Sequence, residues 1–164
     1  MPQTKGDIIF LGNSITDGNE WNELFKDSRI KNRGISGDIT AGVIHRLDEI
    51  VKRKPAKVFL LIGTNDLAWG ISTDSVVKNI LLISSYLKQE SPTTRLFVQS
   101  ILPVNTVYGK FGGHTGNGEK INHINKQLKD SSQINGYTFI DLHTAFSESS
   151  GKLKAALTND GLHL

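Results

Sequence analysis

The chain has 164 residues, 37% hydrophobic and 21% charged, with a formal net charge of +3; this fits one globular domain with a continuous core and shows no basic excess for nucleic-acid binding. It contains no cysteine, which excludes disulfides, thiolate zinc sites and a cysteine nucleophile. No apolar run is long enough to span a bilayer, and the opening MPQTKGD holds no signal-peptide core.

The apolar run Ile8–Leu11 reads as a strand and leads into LGNSITDG, where a glycine, an amide and a serine meet at the strand end. A short helix over Glu20–Lys26 and a weaker strand over Arg29–Asn32 follow. Asp38 is placed to cap a helix whose apolar face is Val43, Ile44, Leu47, Ile50 and Val51, ending before Pro55. Lys52-Arg53-Lys54 falls at the end of that helix, where cations favour the dipole. Val58–Ile62 is apolar throughout, as suits a strand covered on both faces. Thr73 or Asp74 opens a helix with Val76, Val77, Ile80, Leu81, Ile83 and Leu87 on one side. Leu96–Ile101 is the next strand, and the Gly-rich stretch Tyr108–Gly118 is one long loop of the kind that borders a site. Ile121, Ile124 and Leu128 mark a third helix, and Tyr137–Asp141 the last strand. The alternation, without repeat or linker, predicts a doubly wound parallel α/β sheet in a single domain over residues 1–164.

In such a sheet, ligands bind beyond the carboxyl ends of the strands, where strand order reverses. Strand one ends at Gly12-Asn13-Ser14, strand two leads into NRGISGD with Gly37, and strand three ends at GTND with Asn65. With strand order 2-1-3-4-5, Ser14 lies between Gly37 and Asn65. A serine attacking an ester carbonyl needs donors aimed at the developing oxyanion, and the Ser14 N–H, the Gly37 N–H and the Asn65 amide are three. Glycine suits the second position because the backbone must approach the substrate without a Cβ in the way. The chain ends NDGLHL, and a turn there can fold the Asp160 carboxylate against Nδ1 of His163. His163 Nε2 is then free to take the serine proton, as in a Ser-His-Asp triad.

GNSIT, NRGISGD, GTND and DGLH together resemble, in order and spacing, the four sequence blocks of the SGNH (GDSL-type) hydrolases. The stretch from GISGDITAGVIHRLDEI to KPAKVFLLIGTNDL is most similar to platelet-activating-factor acetylhydrolase catalytic subunits and bacterial acetylesterases. The resemblance runs from Asp7 to the end of the chain. It implies a flavodoxin-like three-layer α/β/α fold, no metal and no cofactor, and hydrolysis of esters with small acyl groups, often acetyl. Block by block it implies Ser14 as nucleophile, Gly37 and Asn65 as oxyanion donors, and Asp160 with His163 as the remaining pair. Asn13 stands where the family name records Asp. The chain stops one residue after His163, where relatives continue into a helix packed on the sheet, so the domain is expected to lack that helix.

Other residues read more simply. His45, His114, His123 and His143 fall in different elements without the paired spacing of a zinc site. Asp66 orients its loop, and Trp69 either walls the acyl pocket or packs. GNSITDG also admits a flavin- or nucleotide-binding reading, phosphate at a helix N-terminus, although it lacks the P-loop lysine and the G-x-G-x-x-G spacing. A non-catalytic binding module on the same fold is a further alternative. The expected partner is a small-molecule ester, such as an acetylated sugar or a lipid-like ester, with no nucleic acid and no membrane span. The compartment reads as cytoplasmic, or as periplasmic or secreted where a leader has been removed.

Overall fold

The computed structural model describes residues 6–164. Five strands, β1 (Ile8–Gly12), β2 (Ile30–Gly34), β3 (Lys57–Leu61), β4 (Arg95–Gln99) and β5 (Thr138–Ile140), form one parallel sheet in the order β2-β1-β3-β4-β5. The expected order is the observed one. β1 therefore lies between β2 and β3, and the loops leaving all three carboxyl ends converge.

Alternation along the strands gives the sheet two different faces. Ile9, Leu11, Val58, Leu60, Leu96 and Val98 share one face and are at most 7% exposed. They meet the apolar stripes of α3 (Thr40–His45), α4 (Leu47–Val51), α6 (Thr73–Glu90) and α8 (Gly118–Asn135), which supply Val43, Leu47, Ile80, Ile83, Ile121 and Leu128 to the same core. At about 1.5–3 kcal/mol for each fully buried aliphatic side chain, this face carries most of the hydrophobic stabilisation. The other face is aromatic. Phe10, Phe59 and Phe97 stand in register, with ring centroids 4.9 and 4.6 Å apart. Trp21, from α2 (Trp21–Leu24), stacks on Phe10 at 4.7 Å. Past α2 this face opens as an apolar trough of about 530 Å³ lined in part by Phe10, Phe25, Phe59 and Ile140.

The predicted elements survive with shifted edges and changes of detail. The single helix expected after Asp38 is broken at Arg46 into α3 and α4. Asp38 does not cap it: the Asp66 carboxylate, from α5 (Thr64–Ala68), accepts from Thr40 N at 3.1 Å and from Thr40 Oγ1 at 2.5 Å. A tertiary contact has replaced the local cap. α6 opens at Thr73, as expected, and is capped by Ser72, whose hydroxyl accepts from Ser75 N. Finally, the Gly-rich stretch is not a bare loop. It folds a short helix, α7 (Gly112–Thr115), ahead of α8. Lys52-Arg53-Lys54 does follow the end of α4, but Arg53 turns inward to Asp7 at 3.3 Å.

Candidate active site

The first piece of the site is the turn from β1 into α1 (Ser14–Asp17). A Cβ on Gly12 would lie 2.3 Å from the Leu61 carbonyl oxygen and from Thr16 Oγ1, and one on Gly34 would lie 2.2 Å from Asp17 N. These two glycines let the strand ends and α1 close on one another, which leaves Ser14 at the head of α1 facing the convergence. Asn13 is buried and its side chain accepts from Ile15 N at 3.1 Å. Asn and Asp both offer that acceptor oxygen, so the departure from the family's Asp leaves the cap intact.

Ser14 Oγ lies 3.0 Å from His163 Nε2, and His163 Nδ1 lies 2.8 Å from Asp160 Oδ2. The expected three residues are thus together. Asp160 is itself held, because Oδ1 accepts from the backbone N–H groups of Leu162 and His163, each at 2.8 Å. Burial pushes the Asp160 carboxyl up, but the hydrogen bonds from the His163 side chain and from both N–H groups outweigh it and bring it down to about 2. An ionised Oδ2 requires the proton on Nδ1, which leaves Nε2 as an acceptor toward the Ser14 hydroxyl. The turn is anchored beyond its own hydrogen bonds. Gly161, at φ +85°, packs so closely on Asn105 that a Cβ would sit 1.9 Å from the Asn105 carbonyl oxygen. Asn105 N donates to the Gly161 carbonyl at 2.9 Å, and Leu162 is buried in the core.

Gly37 and Asn65 flank Ser14 from β2 and β3. The Gly37 loop is tied at both ends: Ser36 Oγ donates to Asp17 at 2.7 Å, and Asp38 pairs with Arg46 at 2.8 Å. Arg46 also donates to the Gly12 and Arg33 carbonyls, so one guanidinium binds the ends of β1 and β2 to this loop. Apart from its chain neighbours, no protein atom stands within 4 Å of a Cβ placed on Gly37; what calls for glycine here is its φ of +81°. Asn65 Nδ2 donates to the Asp38 carbonyl at 2.8 Å, and Asn65 Oδ1 lies 3.0 Å from His114 Nε2. Asp66, next in the chain, is fully buried; burial raises its carboxyl above the ordinary range against the opposing Thr40 hydrogen bonds. It orients the loop, as expected, by tying α5 to α3.

Ser14, Gly37, Asn65 and His163 line one cleft of about 420 Å³, with Trp69, Phe111 and His114 on its walls. Trp69 is 68% exposed, so it borders the cleft rather than packing in the core. Phe111, in the left-handed region at φ +50°, sets its ring edge-on to both imidazoles, 5.8 Å from His114 and 5.4 Å from His163. His114, Phe111 and Arg46 have no role in the sequence reading. For His114 and Phe111 the only signal was a Gly-rich stretch too long for a plain turn; Arg46 lies outside it, at the break between α3 and α4. Of the other histidines, His123 bonds Gln127 and His143 bonds Ser147, apart from the cleft. Among the described residues no three His, Asp or Glu side chains gather where they could hold a metal ion, and no helix is long and apolar enough to cross a membrane. Chemically, the cleft pairs a hydroxyl with an acceptor imidazole and adjoins an amide whose orientation is fixed.

Comparison with known proteins gives one consistent result. A family model described as the GDSL-like lipase/acylhydrolase family matches residues 10–164. The chicken platelet-activating factor acetylhydrolase IB subunit alpha2 is 27% identical over 165 residues, a match covering 96% of this chain and 69% of that protein. The human alpha1 subunit is 30% identical over a shorter match, covering 59% of this chain and 44% of that one. Among solved structures, a GDSL-like lipase from Bacteroides thetaiotaomicron superposes with a TM-score of 0.85 at 25% identity, over 99% of this chain and 83% of its own.

Proposed function

The chain belongs to the GDSL-like lipase/acylhydrolase family, and from that premise we propose that it is a serine esterase acting on carboxylic esters with small, acetyl-type acyl groups. The observation that carries the proposal is the line from Ser14 Oγ through His163 to Asp160, at 3.0 and 2.8 Å. In this reading Ser14 Oγ attacks the acyl carbonyl carbon while His163 Nε2 takes the hydroxyl proton. The carbonyl oxygen becomes negative and is met by the N–H groups of Ser14 and Gly37 and by the second amide hydrogen of Asn65. Collapse of the tetrahedral intermediate expels the alcohol, which takes its proton from His163. Water, deprotonated by the same imidazole, then releases the acid and restores Ser14.

The small-acyl preference draws support from the acetylhydrolase subunits among the relatives and from the walls of the cleft, where Trp69 and Phe111 stand beside the reacting groups. The phosphate-binding reading of GNSITDG fits the turn poorly. The Ile15 N–H is taken by the Asn13 side chain, and those of Thr16 and Asp17 by the Asn13 carbonyl. The test is hydrolysis of p-nitrophenyl acetate and of a series of longer acyl esters. Wild type should turn over the acetyl ester and lose kcat/KM by the octanoyl ester, and Ser14→Ala should be inactive. Activity that survives in Ser14→Ala refutes the assignment, and kcat/KM rising steadily with chain length refutes the acyl preference.

A further inference from the structure

A primary carboxamide can be flipped, and only one of its two orientations points a donor where an oxyanion forms. Asn65 is held in one. Its Nδ2 faces the Asp38 carbonyl oxygen at 2.8 Å, a contact that only the amino end of the amide can make. Oδ1 therefore faces His114 Nε2 at 3.0 Å, and that nitrogen must carry the hydrogen. We propose that His114 is a positioning residue for the reaction: its Nε2–H donates to Asn65 Oδ1 and locks the carboxamide with one Nδ2 hydrogen on Asp38 and the other directed to the cleft. The proposal rests on the reading of Asn65 as an oxyanion donor.

The surroundings suit a neutral donor imidazole. Burial pushes His114 below its ordinary value, and the nearby His163 adds to the shift. A neutral ring has one N–H and one bare nitrogen, and the Asn65 oxygen selects the tautomer with hydrogen on Nε2. The ring is also fixed from its own side. His114 N donates to the Phe111 carbonyl at 2.7 Å, and the Phe111 ring braces the imidazole edge-on. The Gly-rich stretch thus does more than border the cleft, because it delivers the hydrogen that orients Asn65 from the opposite wall.

The test is a mutant cycle on p-nitrophenyl acetate with His114→Phe, which keeps a ring but loses the donor, and Asn65→Ala. Asn65→Ala should lower kcat by roughly 10²–10³-fold. His114→Phe should lower kcat about tenfold with little change in KM, the factor that corresponds to one ordinary hydrogen bond. The double variant should be no slower than Asn65→Ala, because the histidine acts only through that amide. His114→Gln, whose side-chain N–H can reach the same oxygen, should recover most of the loss. Nitrogen-correlated NMR of the imidazoles in the wild type should show His114 protonated at Nε2. A double variant slowed by the product of the two single effects, no recovery in His114→Gln, or an Nδ1–H tautomer would overturn the proposal while leaving the esterase reading standing. Full activity in Asn65→Ala, with Ser14→Ala inactive, would instead show that Asn65 is not an oxyanion donor, and the role of His114 would fall with it.

Discussion

The cleft receives two imidazoles from two segments, the turn over residues 158–164 and the stretch over residues 111–117, and each brings Nε2 to 3.0 Å from a polar partner. Their second nitrogens differ. His163 Nδ1 meets an aspartate held down to about 2, which fixes Nε2 as an acceptor beside a hydroxyl. His114 has no carboxylate partner among its described hydrogen bonds, and its Nε2 faces an amide oxygen, which makes it a donor. The same ring is a proton acceptor in one place and a fixed donor in the other. Environment assigns the role, and residue type alone does not.

The comparison breaks most visibly on the acceptor side. Ser14→Ala and His163→Ala should each lower kcat on the order of 10⁶-fold, and the double variant should be no worse, since the two act as one unit. Steady-state kinetics with an acetyl ester checks this, and additive losses would show that the two do not work together. Asp160→Asn comes next, at about 10⁴-fold, because an amide facing Nδ1 donates to it and moves the imidazole hydrogen to Nε2. That substitution would make His163 resemble His114, with folding unchanged by circular dichroism. A near-normal kcat in Asp160→Asn would contradict the account of the tautomer.

The two segments also differ in how far the sequence displayed them. Asp160 and His163 are three residues apart, so a single turn accounts for their meeting, and the spacing in DGLH was enough. Ser14, Gly37 and Asn65 sit at strand ends: the apolar runs marked the strands, and taking the doubly wound order 2-1-3-4-5 brought those three ends together, as the sheet does. His114 meets Asn65 across 49 residues of chain, through a short helix built from glycines that carries no periodic signal. Asp66 was visible as a loop residue but not as the cap of α3, since Asp38 offered the nearer carboxylate. Arg46 carries no local signal for its bonds to the ends of β1 and β2, because its partners lie 13 and 34 residues away. Local chemistry is written locally, whereas contacts made across the sheet depend on its curvature and on side-chain reach.

A smaller effect sharpens the contrast through stability. The Asp160 carboxyl is lowered from 3.8 to about 2 by its partners. A group depressed in the folded state contributes stability that is fully present above its unfolded value and disappears as pH falls through the folded one. Thermal unfolding of wild type and Asp160→Asn should therefore differ most above pH 3.8, and the gap should close as pH approaches about 2. A gap independent of pH over that interval would mean that the carboxylate charge does not stabilise the turn.

The most direct measurement concerns Ser14 itself. A fluorophosphonate probe reacts with a serine whose proton is being taken by a neighbouring base. Intact mass should show one adduct per chain, and peptide mapping should place it on Ser14. Labelling should be lost in Ser14→Ala and strongly slowed in His163→Ala, while His114→Phe should still label. An adduct at another residue, or labelling of His163→Ala at the wild-type rate, would contradict the claim that this histidine activates this serine.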